Sequence, residues 1–296
     1  MKLTKVLSNT VKEHYAVGSF SPRYVNMIKP VLEAIQEMDS PGIVQISSKE
    51  LEKYGVTPKE FADEFFHQMA ALPVTVPVTL HLDHTYTFEV IQQAIEAGFE
   101  SVMIDASAKE YEENVSLTKQ IVQYAHERNV DVEAELGKIG ANDQIETDGD
   151  DSDLYTVPEE AKSFVEATGV DALAVSVGTA HGVYTVKQPN IQFDIIKEIR
   201  GLTPVYLVLH GGSGVPAQMV IDAYRLPGGG VSKVNIATDL ELAFLAAIGE
   251  KERGTNAWCN GLDENTLETG RQAVKEEVKK KIREYLHSDH KAESFR

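Results

Sequence analysis

The sequence predicts an α/β protein, a single (β/α)8 TIM barrel in which eight parallel strands alternate with helices. Eight short β-rich runs are each followed by a stretch of helical apolar periodicity, at a spacing of roughly 25 to 40 residues. The length of 296 residues fits one such domain. A doubly wound open sheet is the main alternative, but it usually has fewer strands and a G-x-G-x-x-G motif after the first. No such motif follows Phe20, which favours the barrel.

The β-rich runs combine β-branched and apolar residues and end at polar or turn-forming positions. They cover residues 15–20, 42–47, 77–84, 101–105, 130–136, 171–177, 204–210 and 232–236. The helical stretches place apolar residues three or four positions apart. They cover residues 25–35, 58–71, 88–97, 111–128, 158–168, 194–200 and 240–250, and an additional C-terminal helix is predicted over 264–286.

Two segments depart from this alternation, although one domain over 1–296 is still expected. Residues 138–155 are acidic and rich in Asn, Asp and Gly, which predicts a long mobile loop at the active face. A merely solvated insertion is the alternative. The helix over 264–286 is dense in Lys and Glu, and we expect it to pack on the barrel or on a partner subunit. The last ten residues are expected to be frayed.

Composition narrows the range of partners. A net charge of −18 argues against a nucleic-acid groove and against an anionic membrane surface. A small anionic ligand remains compatible, because backbone N–H groups and a metal can hold it locally. The single cysteine, Cys259, excludes an intrachain disulfide and cysteine-rich zinc clusters. With no apolar run of about 18 residues and no signal-peptide core, a cytoplasmic protein is expected.

Residues that can carry chemistry cluster at the carboxyl ends of the predicted strands, where barrels place their active sites. These residues are Asp83, His84, Glu135, His181, His210 and Asn235. A turn at the end of the strand can direct both Asp83 and His84 into the same opening of the barrel, where they can act as an acid/base and a metal ligand. The alternative is a helix-capping Asp beside an unrelated His. Three converging histidines predict a divalent-metal site with an open position, and zinc or another ion that accepts imidazole ligands is expected.

Two of these histidines lie in glycine-rich contexts, Gly178-Thr-Ala-His-Gly182 and His210-Gly-Gly-Ser-Gly214. Small residues allow backbone N–H groups to approach an anion closely. The segment Asn235-Ile-Ala-Thr238 opens the helix after the eighth strand, and barrels often bind phosphate at the loops after strands seven and eight. The pattern predicts a metal ion beside a phosphate pocket. Glycines that only form turns are the alternative.

These residues give the chain a resemblance to the class II, metal-dependent ketose-bisphosphate aldolases, which include fructose- and tagatose-bisphosphate enzymes. The similarity runs nearly end to end, and several motifs in the same order carry it. They are His81-Leu-Asp-His84, Met103-Ile-Asp-Ala-Ser107, Val132-Glu-Ala-Glu-Leu-Gly137, Gly178-Thr-Ala-His-Gly182, Leu209-His-Gly-Gly-Ser-Gly214 and Lys233-Val-Asn-Ile-Ala-Thr238.

The resemblance implies aldol cleavage of a ketose phosphate to dihydroxyacetone phosphate and an aldehyde such as glyceraldehyde 3-phosphate. It implies one Zn²⁺ ion as Lewis acid, and a monovalent cation is a further candidate. It also implies a homodimer or homotetramer. Asp83 is implied as the proton donor and acceptor, and Asp143 matches the position of a loop acid that protonates C3. The implied zinc ligands are His84, His181 and His210, with Glu135 as an alternative ligand. The implied contacts of the dihydroxyacetone-phosphate end are Gly182, Gly211, Gly212, Ser213, Asn235, Ile236, Ala237 and Thr238.

Departures from the family pattern affect which sugar is expected as the substrate. Ala237 stands where fructose-bisphosphate enzymes typically carry an Asp, which resembles the tagatose-type branch. Glu241 stands where Lys or Arg often meets the distal phosphate, and an acidic residue there would repel that group. Arg23 and Ser47 are candidates for the distal contact, with ordinary surface residues as the alternative. A tagatose-like or other 6-substituted ketose is expected at least as strongly as fructose 1,6-bisphosphate.

Two other functions fit part of the pattern. A metal-dependent hydrolase on the same barrel would normally carry a His-x-His pair in its first strand, and residues 17–20 contain no histidine. A non-catalytic barrel subunit of a sugar-phosphate enzyme would be expected to lack a metal ligand or the acid. Neither is missing from this sequence.

Overall fold

Eight parallel strands close into a barrel in the computed structural model, which describes residues 1–137, 140–141, 155–181 and 189–296, with only the backbone for 140, 141 and 181. The strands are β1 Val17–Phe20, β2 Gly42–Ser47, β3 Val78–Thr85, β4 Ser101–Ile104, β5 Asp131–Leu136, β6 Ala172–Val175, β7 Tyr206–Leu209 and β8 Val231–Ile236. Each strand pairs with its neighbours in sequence, and β8 returns to β1 with Val17 opposite Lys233. The predicted (β/α)8 barrel is confirmed.

Helices fill the connections and surround the strands. They are α1 Leu3–Leu7, α2 Thr10–Glu13, α3 Ile28–Glu37, α4 Ser48–Tyr54, α5 Pro58–Ala71, α6 Phe88–Ala97, α7 Tyr111–His126, α8 Pro158–Thr168, α9 Phe193–Leu202, α10 Ala217–Tyr224, α11 Thr238–Ile248, α12 Asn256–Asn260 and α13 Glu264–Lys280. The predicted bounds of α5, α6 and α8 are those observed. The short helices α1, α2, α4, α10 and α12 were not predicted. Within the described segments, no helix is long and apolar enough to cross a bilayer.

Helix α1 closes the amino-terminal end of the barrel. Its residues Leu3, Val6 and Leu7 pack with the inward-facing side chains of that end, such as Val17 and Ile43. The N–H and hydroxyl groups of Thr4 donate to Asp131 Oδ2 at 2.8 and 2.7 Å, which fixes α1 below β5. Since one end is closed by apolar packing, the polar interior opens toward the carboxyl ends of the strands.

Two further strands of two residues lie outside the barrel. Gly140–Ala141, after β5, pairs in parallel with Ala180–His181, after β6. This pairing joins the segments that follow two neighbouring barrel strands. Most of the predicted mobile loop over 138–155 lies outside the described residues, so its predicted mobility stays a prediction.

The C-terminal segment is ordered to its end. Helix α13 packs against α3 and α11 and then continues as a π-helix over Lys281–Leu286, where an α-helix to 286 was predicted. The backbone N–H groups of His290 and Ala292 donate to Met38 and Asp39 at 3.0 and 2.9 Å. The prediction that the last ten residues are frayed was wrong, because the carbonyl groups that follow α3 accept these hydrogen bonds.

Candidate active site

An irregularity near the end of β3 brings two adjacent side chains into the barrel mouth. The register with β4 shifts between Leu82 and Thr85, so that the intervening Asp83 and His84 oppose a single residue. In a regular strand they would point to opposite faces. Here the ligand atoms of Asp83, His84 and His210 lie within 4.8 Å of one another. The structure therefore joins three of the predicted site residues in one group.

Asp83 is buried, and both of its carboxylate oxygens accept hydrogen bonds across the mouth. Asn235 Nδ2 donates to Oδ1 at 3.0 Å, and Gln45 Nε2 donates to Oδ2 at 3.2 Å. Burial alone would raise the pKa of Asp83, but the nearby charges of His84 and Lys233 hold it below its usual range. The side chain is therefore a carboxylate at neutral pH and is able to accept a proton.

His84 is held by a carboxylate through one ring nitrogen. Its Nδ1 lies 2.9 Å from Asp105 Oδ2, and the other Asp105 oxygen accepts from the N–H and hydroxyl of Ser107 at 3.2 and 2.7 Å. Burial opposes the charged ring, but Asp83 and Asp105 raise the pKa of His84. Because Asp105 engages Nδ1, Nε2 is the candidate metal-binding atom of this histidine.

His210 lies between two glutamates. Its Nε2 is 2.9 Å from Glu133 Oε1, and its Nδ1 is 3.1 Å from Glu135 Oε2. Its ring centroid is 4.4 Å from that of His84. Burial would lower the pKa of His210, but the hydrogen bonds with Glu133 and Glu135 raise it to about 10. A cation that binds this ring must therefore displace a proton.

The backbone at His181 runs beside the end of β7. Gly211 has a φ of 64°, and a Cβ at this position would collide with the carbonyl group of Ala180. The close approach requires glycine, and it brings the backbone before His181 into contact in space with the backbone that follows His210. The side chain of His181 lies outside the described structure, as do Gly182 and Asp143, so their roles stay predictions.

The glycine loop after β7 packs against the start of α11. Gly212 N donates to the carbonyl of Asn235 at 3.0 Å, and a Cβ on Gly212 would lie 2.7 Å from the same oxygen. Ser213 Oγ accepts from the N–H groups of Ala237 and Asp239 at 3.2 and 3.3 Å. These N–H groups belong to a helix N-terminus, which favours anions. The two loops that the sequence assigned to phosphate are thus adjacent.

Arg23 and Glu241 form the centre of a second charged cluster, beside Thr238. Arg23 Nε donates to Glu50 at 2.8 Å, and its terminal nitrogen pairs with Glu241. Arg253 Nε lies 2.7 Å from the same Glu241 carboxylate, whose side chain has no solvent exposure. Glu241 therefore does not face the mouth as an unpaired negative charge, contrary to the expectation that it would repel a distal phosphate.

Ser47 lies opposite Asp83 in the pairing of β2 with β3. Its hydroxyl accepts from the N–H of Glu50 at 3.2 Å, and the Glu50 carboxylate accepts from the N–H of Ser47 at 3.0 Å. This capping box starts α4 and occupies the Ser47 side chain. The predicted contact of Ser47 with substrate stays a prediction.

Sequence and structure both relate the chain to known aldolases. Residues 1–291 match the family described as fructose-bisphosphate aldolase class-II. The chain belongs to this family. Fructose-bisphosphate aldolases from Geobacillus stearothermophilus and Staphylococcus epidermidis are 37% and 36% identical to it over 287 and 288 residues, with 96% of each chain covered. The crystal structure of the YdjI aldolase from Escherichia coli K12 matches with a TM-score of 0.82 at 32% identity, over 98% of both chains.

As a class II aldolase, the protein is a lyase that catalyses metal-dependent aldol cleavage, which confirms the resemblance seen in the sequence. The family is generally zinc-dependent. The donor atoms present fit such an ion, because imidazole nitrogens and carboxylate oxygens converge at Asp83, His84 and His210. A second convergent group, His84, Asp105 and Glu135, shares one of these histidines.

Several polar residues of this aldolase site were not singled out from the sequence. They are Gln45, Asp105, Glu133 and Lys233. A signal was present for the last two: each precedes a predicted site residue by two positions on the same strand, and period-two alternation places such pairs on one face. Asp105 was part of a recognised motif, but no contact could be assigned to it before the fold was known.

Proposed function

We propose that this class II aldolase cleaves a ketose 1-phosphate or 1,6-bisphosphate between C3 and C4, and catalyses the reverse condensation. Dihydroxyacetone phosphate is one product, and an aldehyde such as glyceraldehyde 3-phosphate is the other. The observation that carries the proposal is the convergence of Asp83, His84 and His210 within 4.8 Å at the barrel mouth. Relatives named fructose-bisphosphate aldolase, aligned over 96% of the chain, support it.

The proposed ion is one Zn²⁺, with His84, His181 and His210 as ligands and Glu135 as an alternative ligand. When bound, the ion supplies a Lewis acid that stabilises the negative charge developing on the ketose carbonyl oxygen. The carboxylate partners of His84 and His210 support these two assignments, because metal-binding histidines usually donate their second N–H to such a group. A monovalent cation remains an additional candidate.

Asp83 is the proposed base. The depressed pKa keeps it ionised, so it can take the proton of the C4 hydroxyl as the C3–C4 bond breaks and return that proton in the condensation. Its hydrogen bonds from Asn235 and Gln45 hold both oxygens, which limits the directions in which it can accept a proton. Asp143 is the proposed acid for C3, on the strength of its match to the family's loop acid.

The phosphate of the dihydroxyacetone end is proposed to bind at the two adjacent loops. Ser213 and the N–H groups at the start of α11 support this, because they form a compact set of donors at a helix N-terminus. A bound phosphate would compete with Ser213 for these N–H groups. The full proposed set of contacts is Gly182, Gly211, Gly212, Ser213, Asn235, Ile236, Ala237 and Thr238.

The distal end of the sugar is proposed to meet Arg23 and Ser47. Arg23 is shared between the carboxylates of Glu50 and Glu241, so little of its charge is available to a second phosphate. Ala237 supports a tagatose-like ketose, and the shared charge of Arg23 supports a ketose with another group at C6, each at least as strongly as fructose 1,6-bisphosphate. We further propose one domain over 1–296 and a cytoplasmic homodimer or homotetramer, in line with the family resemblance.

The test is cleavage of a panel of ketose phosphates by the protein as purified, after chelation, and after zinc restoration. The panel contains fructose and tagatose 1,6-bisphosphates, a ketose 1-phosphate without a distal charge, and a 6-sulfonated analogue. Zinc-dependent release of dihydroxyacetone phosphate from any member supports the proposal, and the preferred member identifies the distal group. Absence of cleavage for every member would overturn the proposed substrate class.

A further inference from the structure

A fully buried ion pair lies below the active site, inside the barrel. Lys233 Nζ on β8 is 2.7 Å from Glu133 Oε2 on β5, and neither side chain is exposed to solvent. Burying two charges opposes folding unless the geometry is close and further hydrogen bonds are made. Apolar residues of similar volume are often as stable in such a position. Core stability alone therefore does not account for this pair.

The second oxygen of Glu133 connects the pair to the site. Glu133 Oε1 lies 2.9 Å from His210 Nε2. A carboxylate only accepts hydrogen bonds, so the ring carries a proton on Nε2, and Nδ1, which lies 3.1 Å from Glu135, is the nitrogen that a cation can bind once its own proton is displaced. Asp105 makes the corresponding contact with the opposite nitrogen, Nδ1, of His84.

The surroundings of Glu133 leave it few other arrangements. Its Oε2 accepts from Lys233, and His81 Nε2 lies 3.5 Å from the same oxygen. The other ring nitrogen of His81 is engaged by Ser101 Oγ at 2.9 Å. Glu133 is thus confined between a lysine, a buried histidine and the proposed metal ligand, and it contacts Nε2 of His210 from this confined position.

We propose that Glu133 is a positioning residue that sets the tautomer and orientation of His210 for metal binding, and that Lys233 holds Glu133 in place. The inference rests on the proposed function, because it takes His210 as a ligand that binds through Nδ1. Removal of a carboxylate in this role typically weakens metal binding by about 10- to 100-fold. Zinc affinity is therefore the readout, independent of activity.

The experiment compares the zinc-stripped wild type with Glu133→Gln, Lys233→Met and the double variant. Zinc affinity is measured by competition with a chromophoric chelator, and stability is measured by urea unfolding. The matched control is Asp131→Asn, a buried carboxylate two positions earlier on the same strand, which contacts Thr4 and no proposed ligand. His210→Ala reports whether His210 binds the ion at all.

We expect Glu133→Gln to lower zinc affinity by about 10- to 100-fold, while Asp131→Asn retains the wild-type value. The double variant removes both buried charges, so it should recover stability relative to either single variant and still bind zinc weakly. Wild-type affinity in a folded Glu133→Gln or double variant would overturn the inference and leave the proposed function intact. If the wild type binds no zinc, or His210→Ala binds it equally well, the proposed metal site fails and the inference fails with it.

Discussion

Asn235 and Asp83 lie 152 positions apart in the sequence and are joined by a hydrogen bond of 3.0 Å across the mouth of the barrel. Asn235 belongs to β8 and Asp83 to β3, so the bond connects strands that do not pair with each other. Gln45 on β2 holds the other oxygen of Asp83 at 3.2 Å. The proposed base is therefore oriented by two amide groups from different strands.

Replacement of the proposed base should abolish turnover without unfolding the protein. We expect Asp83→Asn to lower kcat by about 10²- to 10⁴-fold, because the amide cannot accept the C4 hydroxyl proton. Asn235→Ala should give a smaller loss, since Gln45 still holds one oxygen of Asp83. Steady-state cleavage assays check both values, with zinc content and circular dichroism as controls. An Asp83→Asn enzyme with near-normal kcat would contradict the assignment.

Two neighbouring helices have N-terminal caps of the same kind, so the structural role of Ser47 can be tested apart from its proposed contact with substrate. Ser47 starts α4 and Thr57 starts α5, each within a capping box. Ser47→Ala and Thr57→Ala should each reduce the free energy of unfolding by about 1 kcal/mol. Only Ser47→Ala should also raise KM, because only Ser47 lies opposite Asp83. Equal KM values for the two variants would remove Ser47 from the proposed substrate contacts.

The pairing of Arg23 with Glu241 should control preference for a distal phosphate. Glu241→Gln removes one of the two carboxylates that Arg23 contacts, and it also releases charge on Arg253. We expect kcat/KM for a 1,6-bisphosphate to rise by roughly fivefold relative to a 1-phosphate, which corresponds to about 1 kcal/mol of added attraction. A ratio unchanged from the wild type would show that Arg23 does not contact the distal group.

The single cysteine should be inert in the folded protein. Cys259 is fully buried, and burial raises the pKa of its thiol to about 11. The thiolate is the reactive form, so a raised pKa suppresses labelling at pH 7 to 8. We expect a colourimetric thiol reagent to react slowly with native protein and to modify one group per chain in denaturant. Fast labelling under native conditions would mean that α12 opens readily.

The barrel itself was accessible from the sequence because its strands are buried on both faces. Such strands appear as short β-rich runs separated by longer helical stretches, and the alternation alone indicates a parallel closed sheet. The helices that were missed are short, as with α10 and α12, and packing rather than local pattern determines them. The bonds of His290 to the segment after α3 were likewise invisible, because they depend on contacts distant in sequence.

The site residues at the ends of the strands could be predicted from the sequence, whereas the charged residues deeper inside the barrel could not. Asp83, His84 and His210 stood out because polar residues end otherwise apolar runs. The register shift that joins Asp83 to His84 depends on the pairing of β3 with β4, which no local pattern records. Glu133 and Lys233 were overlooked because a charge inside a strand usually indicates a solvent-facing position. Here the two charges compensate each other within the barrel.

The contact between Tyr285 and Gly212 has a consequence for biosynthesis. The Tyr285 hydroxyl donates to the Gly212 carbonyl, so the proposed phosphate loop is completed by a residue that is synthesised 73 positions after it. Strand β1 likewise cannot close the barrel until β8 has been made. The barrel and this loop therefore cannot be completed during synthesis before the residues through Tyr285 have left the ribosome, so catalytic competence should arise late in folding.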